Sequence, residues 1–147
     1  MLFTAELNSK TLGKDIEVNI PELKVNQIFT TDSDGKISGK IKIKNLSLWS
    51  PEDPKLYSVE LKLDNSILKD EIGFRTIETS GKKILLNGNP IYLRGISIHE
   101  EKTEGGGRAN SVEDAQKLLG WAKELGCNYV RLAHYPHNEY MVREDYD

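Results

Sequence analysis

The chain has 147 residues, of which 37% are hydrophobic and 29% charged, with a formal net charge of −3. That length holds one ordinary domain, or one and a piece of another. Interspersed charges of both signs give no footprint for nucleic acid or for an anionic membrane. A single cysteine, Cys127, excludes an internal disulfide framework. Placed between Gly126 and an apolar run, it reads as a buried, inert thiol rather than a nucleophile. No stretch reaches the length of a transmembrane helix. Met1-Leu2-Phe3-Thr4 leads straight into alternating residues, which is not the pattern of a signal peptide; localisation stays open.

The first half reads as β-structure. Ile16, Val18 and Ile20 alternate with polar residues, as do Ile41 and Ile43, and then Val59, Leu61 and Leu63. Period-two patterning puts one face into a core and the other into water. Turn signals separate these runs: Asp32-Ser33-Asp34-Gly35-Lys36, Ser50-Pro51-Glu52-Asp53-Pro54 and Asp64-Asn65-Ser66. Short strands so punctuated predict an antiparallel sandwich.

The character changes after Thr79, which divides the chain into residues 1–79 and 80–147. Ile84-Leu85-Leu86 and Ile91-Tyr92-Leu93 flank Asn87-Gly88-Asn89-Pro90 as a short hairpin, and Leu93–Ile98 reads as a more buried strand. A polar, glycine-rich loop runs from Glu100 to Asn110. Ser111 then opens a helix with Asp114 as capping-box partner. Val112, Ala115, Leu118, Leu119, Ala122 and Leu125 recur at helical spacing, and Gly126 ends the run. Tyr129–Leu132 is a further strand, and another helix starts near Asn138. Strand, loop, helix, strand is a βαβ unit with parallel pairing.

Chemistry gathers at the ends of those parallel strands. His99-Glu100-Glu101 follows the first; His134-Tyr135-Pro136-His137 follows the second, with Arg131 near its end. In parallel α/β barrels, carboxyl-terminal strand ends converge on the rim that holds the active site. Two imidazoles there can donate to and accept from sugar hydroxyls, and an arginine can keep a neighbouring carboxylate ionised. A strand-end histidine is also commonly a satisfied structural residue, and that alternative stays open. A metal site is disfavoured: Thr103 occupies the second histidine's place in a His-Glu-x-x-His pattern, and His134 with His137 lack a further ligand nearby. Gly105-Gly106-Gly107 lacks the ending of a phosphate-binding loop. It reads as a flexible rim loop from which Arg108 reaches the pocket. Trp49 and Trp121 read as packing residues rather than sugar platforms.

Several segments carry a family likeness. Leu48-Trp49-Ser50-Pro51-Glu52-Asp53-Pro54-Lys55-Leu56-Tyr57 resembles a segment late in the sandwich domain of glycoside hydrolase family two, and Ile72-Gly73-Phe74-Arg75-Thr76-Ile77-Glu78 resembles the strand that closes that domain. Leu86–Gly95 is similar to the opening of the family's catalytic barrel, and Ile98-His99-Glu100 to its first-strand His-Glu. Asn128-Tyr129-Val130-Arg131-Leu132-Ala133-His134-Tyr135-Pro136 is similar to its Asn-x-x-Arg-x-x-His-Tyr-Pro signature. The resemblance covers roughly residues 46 to 140, in the family's order; before that only strand character matches.

The resemblance implies a truncated immunoglobulin-like β-sandwich followed by the first βαβ portion of a (β/α)8 TIM barrel. It implies a retaining exo-β-glycosidase of the β-galactosidase, β-glucuronidase and β-mannosidase family, with β-galactosidase-like specificity favoured. His99 and His134 would bind hydroxyls of the terminal β-linked sugar, and Arg131 would support the nucleophile. Glu100 and Arg108 would lie on the pocket rim. The acid/base and nucleophile glutamates are expected beyond Asp147, since Asn138-Glu139 sits at a helix start and only mimics the family's Asn-Glu pair. The chain alone is therefore expected to be inactive. No cofactor or metal is expected in this segment, and a divalent metal in the parent enzyme stays open. Self-association through exposed barrel strands is expected. A non-catalytic carbohydrate-binding module and a structural spacer are the rival readings.

Overall fold

Alternating residues become strands wherever a partner lies in register. In the computed structural model, which describes residues 1–102 and 104–143, strands β1 (Leu2–Glu6) and β4 (Lys36–Lys40) form one antiparallel pair. A second sheet has the order β3 (Val25–Thr30), β2 (Asp15–Ile20), β5 (Tyr57–Leu63), β6 (Ser66–Ile72), all antiparallel. Ile16, Val18 and Ile20 of β2, Val25 of β3, Ile37 of β4, Ile41 and Tyr57 of β5 form the core between the sheets. This is the sandwich that the alternation predicts. Asp32 Oδ1 fixes the turn before β4 by accepting from the backbone N–H groups of Asp34 and Lys36, each at 2.9 Å. A Cβ at Gly39 would overlap the ring of Phe29, so only glycine lets β4 pass there.

Two strand expectations are corrected. Ile41 and Ile43 alternate but lie outside any strand; Ile41 N–H reaches Met1 carbonyl, and no ladder extends past Lys40. The Gly73-Phe74-Arg75 segment is likewise not a strand. It meets the Trp49 segment through the Trp49 N–H to Phe74 carbonyl bond at 2.8 Å, and no strand ladder forms there among the described residues. Tyr57 and Phe74 rings pack at 5.7 Å, and the Arg75 guanidinium lies 4.9 Å from the half-buried Trp49 ring.

The chain divides into two units, Met1–Arg75 and Thr76–Asp147. The division falls ahead of the expected change after Thr79, because β7 (Ile77–Ser80) pairs with β8 (Lys83–Leu86). Residues 144–147, the tail of the expected second domain, and Thr103 lie outside the described residues. β9 (Asn89–Ile91) completes a three-stranded antiparallel sheet with β8 across the Asn87-Gly88 turn.

β10 (Gly95–Ile98) and β11 (Tyr129–Leu132) are parallel, with Ser97 opposite Arg131 and Ile98 opposite Leu132. Helix α1 (Val112–Glu124) joins them, and a short α2 (Glu139–Arg143) follows. The capping box forms as the sequence predicts: Ser111 Oγ accepts from Asp114 N–H at 3.2 Å while Asp114 Oδ2 accepts from Ser111 N–H at 3.4 Å. At the other end Gly126, with φ of 75°, closes a Schellman motif: its N–H reaches Lys123 carbonyl and that of Cys127 reaches Ala122 carbonyl. Ala115, Leu119 and Ala122 pack with Ile98 and Met141 as the core, flanked by Leu118, Cys127, Val130 and Leu132.

Cys127 is thus half-buried at the edge of this core rather than buried, since the Schellman turn lifts it off the helix. Leu125 is 71% exposed because it is the cap residue, past the packed turns. Trp121, expected to pack, is 41% exposed on α1, with the Lys117 ammonium 5.2 Å from its ring. No helix among the described residues is long and apolar enough to cross a membrane.

Candidate functional site

Ile98, Val130 and Leu132 face helix α1. Period-two alternation therefore turns Ser97 and Arg131 to the opposite face of the parallel pair. There Arg131 Nη1 donates to Ser97 Oγ at 3.3 Å. Register is set from the amino-terminal end of the pair. Asn128 Oδ1 accepts from Arg94 N–H at 2.8 Å, its Nδ2 donates to Tyr92 carbonyl at 3.0 Å, and its own N–H reaches Arg94 carbonyl. This asparagine, the first residue of the Asn-x-x-Arg run, thereby aligns the strand ends.

At the carboxyl ends the backbone stays paired, with Ala133 N–H on Ile98 carbonyl at 3.0 Å. His99 and His134 follow directly. Their rings meet edge to face, centroids 5.4 Å apart at an interplanar angle of 86°, and both side chains are exposed. Tyr135 joins them, 5.8 Å from His99 and 6.0 Å from His134. On its other side it stacks on His137 at 4.9 Å. The sequence singled out both strand-end histidines and left Tyr135 without a role; its position next to His134 in the motif was the available signal.

Glu100 departs from expectation. It is not a rim residue: it is 2% exposed and lies beneath the site. Its Oε2 accepts from Arg108 Nε at 2.7 Å, and its Oε1 accepts from Asn138 N–H. His137 Nδ1 lies 3.8 Å from the same Oε1, while His137 Nε2 contacts Ala133 carbonyl at 3.0 Å. The Glu100 N–H donates to Tyr135 Oη at 2.9 Å. Burial alone would raise this carboxyl's pKa; the Asn138 N–H, the Arg108 guanidinium and His137 outweigh it, so the pKa is held below the ordinary value of 4.5. The reason is geometric. The glycine loop closes through a Glu101–Arg108 bridge and a Lys102 N–H to Gly107 carbonyl bond, which turns Arg108 back onto Glu100.

Arg108, Glu100, Glu101, Gly107, Tyr135 and Pro136 line a shallow, open cleft. Arg108 Nη2 donates to Pro136 carbonyl at 3.3 Å, and its guanidinium lies 5.5 Å from the Tyr135 ring. Among the described residues no group of three His, Cys, Asp or Glu side chains converges as a metal site requires.

A β-sandwich unit is followed in the chain by a parallel strand–helix–strand unit that carries imidazoles at its carboxyl edge. The sequence pattern of "Glycosyl hydrolases family 2" matches residues 3–75, and that of "Glycosyl hydrolases family 2, TIM barrel domain" matches residues 77–144. The chain belongs to glycosyl hydrolase family 2: its first unit is from the immunoglobulin-like sandwich and its second is the start of the TIM-barrel domain.

A β-glucuronidase of Paenibacillus borealis is 31% identical over 150 residues, which covers 91% of this chain and 24% of that protein. A β-galactosidase of Arthrobacter sp. (strain B7) is 26% identical over 133 residues, 90% of this chain and 13% of that protein. The crystal structure of a β-galacturonidase from Eisenbergiella tayi bound to galacturonate superposes with a TM-score of 0.78 at 29% identity, over 99% of this chain and 27% of that one. The chain thus spans about a quarter or less of the length of the curated relatives it matches.

Proposed function

We propose that this chain supplies the sugar-orienting wall of a retaining exo-β-glycosidase, and that His99 and His134 hold hydroxyls of the terminal β-linked sugar. The observation that carries the reading is the facing pair of exposed imidazoles, 5.4 Å apart, at the carboxyl ends of adjacent parallel strands. Each ring has both donor and acceptor capacity, which suits vicinal hydroxyls. Arg131, exposed on the face away from α1, supplies a fixed cation for a nucleophilic carboxylate. Retention of configuration needs two carboxyl groups roughly 5 Å apart, one as acid/base and one as nucleophile. Glu100 meets neither role, because Arg108 and Asn138 occupy its two oxygens. Both catalytic glutamates are therefore assigned to later strands of the barrel, and the 147-residue chain binds sugar without cleaving it.

A neutral galactoside is the preferred substrate. Arg108 Nε and Nη2 are already committed to Glu100 and to Pro136 carbonyl, so a uronate carboxylate would have to compete for its guanidinium. The second reading, a β-uronide, is favoured by the relatives named β-glucuronidase and β-galacturonidase. Saturation-transfer difference spectra of methyl β-galactoside and methyl β-glucuronide with the purified chain separate the two. The expected result is transfer to the galactoside, lost in both His99→Ala and His134→Ala. Equal transfer in those variants removes the sugar-wall reading. Turnover of a nitrophenyl β-glycoside by the chain would overturn its assignment as a non-cleaving segment.

A further inference from the structure

We infer that Glu100 is a positioning residue: buried itself, it forms with Arg108 a strut that fixes the turn after β11 and so sets His134 against His99. The inference rests on the reading of those histidines as sugar ligands and deepens it.

Glu100 is attached to that turn at several points. Its backbone N–H donates to the Tyr135 hydroxyl, and its Oε1 takes the N–H of Asn138 and faces His137 Nδ1. Its Oε2 takes Arg108 Nε, and Arg108 Nη2 in turn holds Pro136 carbonyl. His134 is followed in the chain by Tyr135, Pro136, His137 and Asn138, and every one of them touches this pair. His134 itself has no hydrogen bond to Glu100, so the effect passes through the backbone that carries it. His137 stacks beneath Tyr135 with its side chain 1% exposed, which closes the space that the turn would need to swing. The groups facing the carboxylate are Arg108, His137 and the Asn138 N–H, while the Tyr135 hydroxyl accepts from the Glu100 backbone N–H. Removing the carboxylate leaves a buried amide and a guanidinium without their acceptor, and the turn is released to find others.

The test uses the whole chain with ¹³C-labelled histidine and needs no sugar. In the unmodified protein a cross-relaxation peak connects the His99 and His134 rings. It is expected to disappear in Glu100→Ala and in Arg108→Gln, with the amide shifts of Tyr129–Leu132 unchanged. Glu100→Gln, which keeps one carbonyl acceptor, is expected to restore the peak partly. A peak of full strength in both Glu100→Ala and Arg108→Gln overturns the inference. If Glu100→Ala unfolds the second unit, Arg108→Gln decides, because that side chain is 59% exposed and fills no core space. A peak retained there overturns the inference, and one lost with the strand shifts intact supports it. Absence of sugar binding by the unmodified chain would fail the sugar-wall reading and leave this result standing.

Discussion

The rings of His99 and His134 stand edge to face at 5.4 Å, although 34 residues separate related positions on their strands, as between Ser97 and Arg131. That approach depends on the parallel register of β10 and β11. The register depends on Asn128, which grips Arg94 N–H and Tyr92 carbonyl at once. Asn128→Ala is expected to speed hydrogen exchange at Arg94 and weaken the His99–His134 contact. Asn128→Asp, which keeps the acceptor for Arg94 and loses the donor to Tyr92, is expected to fall between. Unchanged exchange at Arg94 in Asn128→Ala would remove the clamp from the account.

The buried carboxylate gives the second unit a pH dependence of known sign. Glu100's pKa is lower in the folded chain than its ordinary value of 4.5. Its stabilisation is therefore complete above that value and is lost as pH falls through the lower folded value. Asp114 and Glu113 at the α1 amino terminus are shifted the same way. Urea unfolding followed between pH 3 and 7 is expected to show midpoints falling at the acid end, with a smaller fall in Glu100→Gln. The same fall in that variant would assign the effect to other carboxylates.

Helix α1 carries its own check. Ser111→Ala removes the acceptor for Asp114 N–H and is expected to cost about 1 kcal/mol. Ser111→Asp is expected to recover most of it, since an aspartate can cap the same N–H and complements the helix dipole. Circular dichroism during denaturation measures both.

In the sandwich unit, Gly39→Ala drives a methyl into the Phe29 ring and is expected to cost about 1–3 kcal/mol. Ile20→Ala empties a fully buried position and is expected to cost about 2–5 kcal/mol. Tolerance of both substitutions would mean that β2 and β4 do not pack as described.

Strands β10 and β11 form a sheet of two, so each keeps one edge without a strand partner among the described residues, and Leu93, Ile96 and Tyr129 expose apolar surface beside them. Such edges recruit other strands. Light scattering of the purified chain is expected to give a mass that rises with concentration, and a strict monomer throughout the accessible range would contradict it.

Much of this was legible in the residues. Local rules suffice for the alternation in Asp15–Ile20, the Ser111–Asp114 box and the Gly126 stop, because each is settled within a turn or a strand. The strand–helix–strand order likewise brought His99 and His134 to one edge without any distance being known. Ile41 and Ile43 failed as a strand because pairing depends on a partner that the local pattern does not contain. Glu100 failed as a rim residue for a related reason. Its burial is set by Arg108 across the glycine loop and by Asn138 in the turn after β11, and neither closure is written in the residues near Glu100.

The most direct measurement is a titration of ¹³C-histidine-labelled chain with methyl β-galactoside, followed on all its imidazoles. His99 and His134 signals are predicted to move together along one saturation curve while buried His137 stays in place. Movement of neither ring at saturating sugar, or separate curves for the two, would contradict a shared sugar wall at these strand ends.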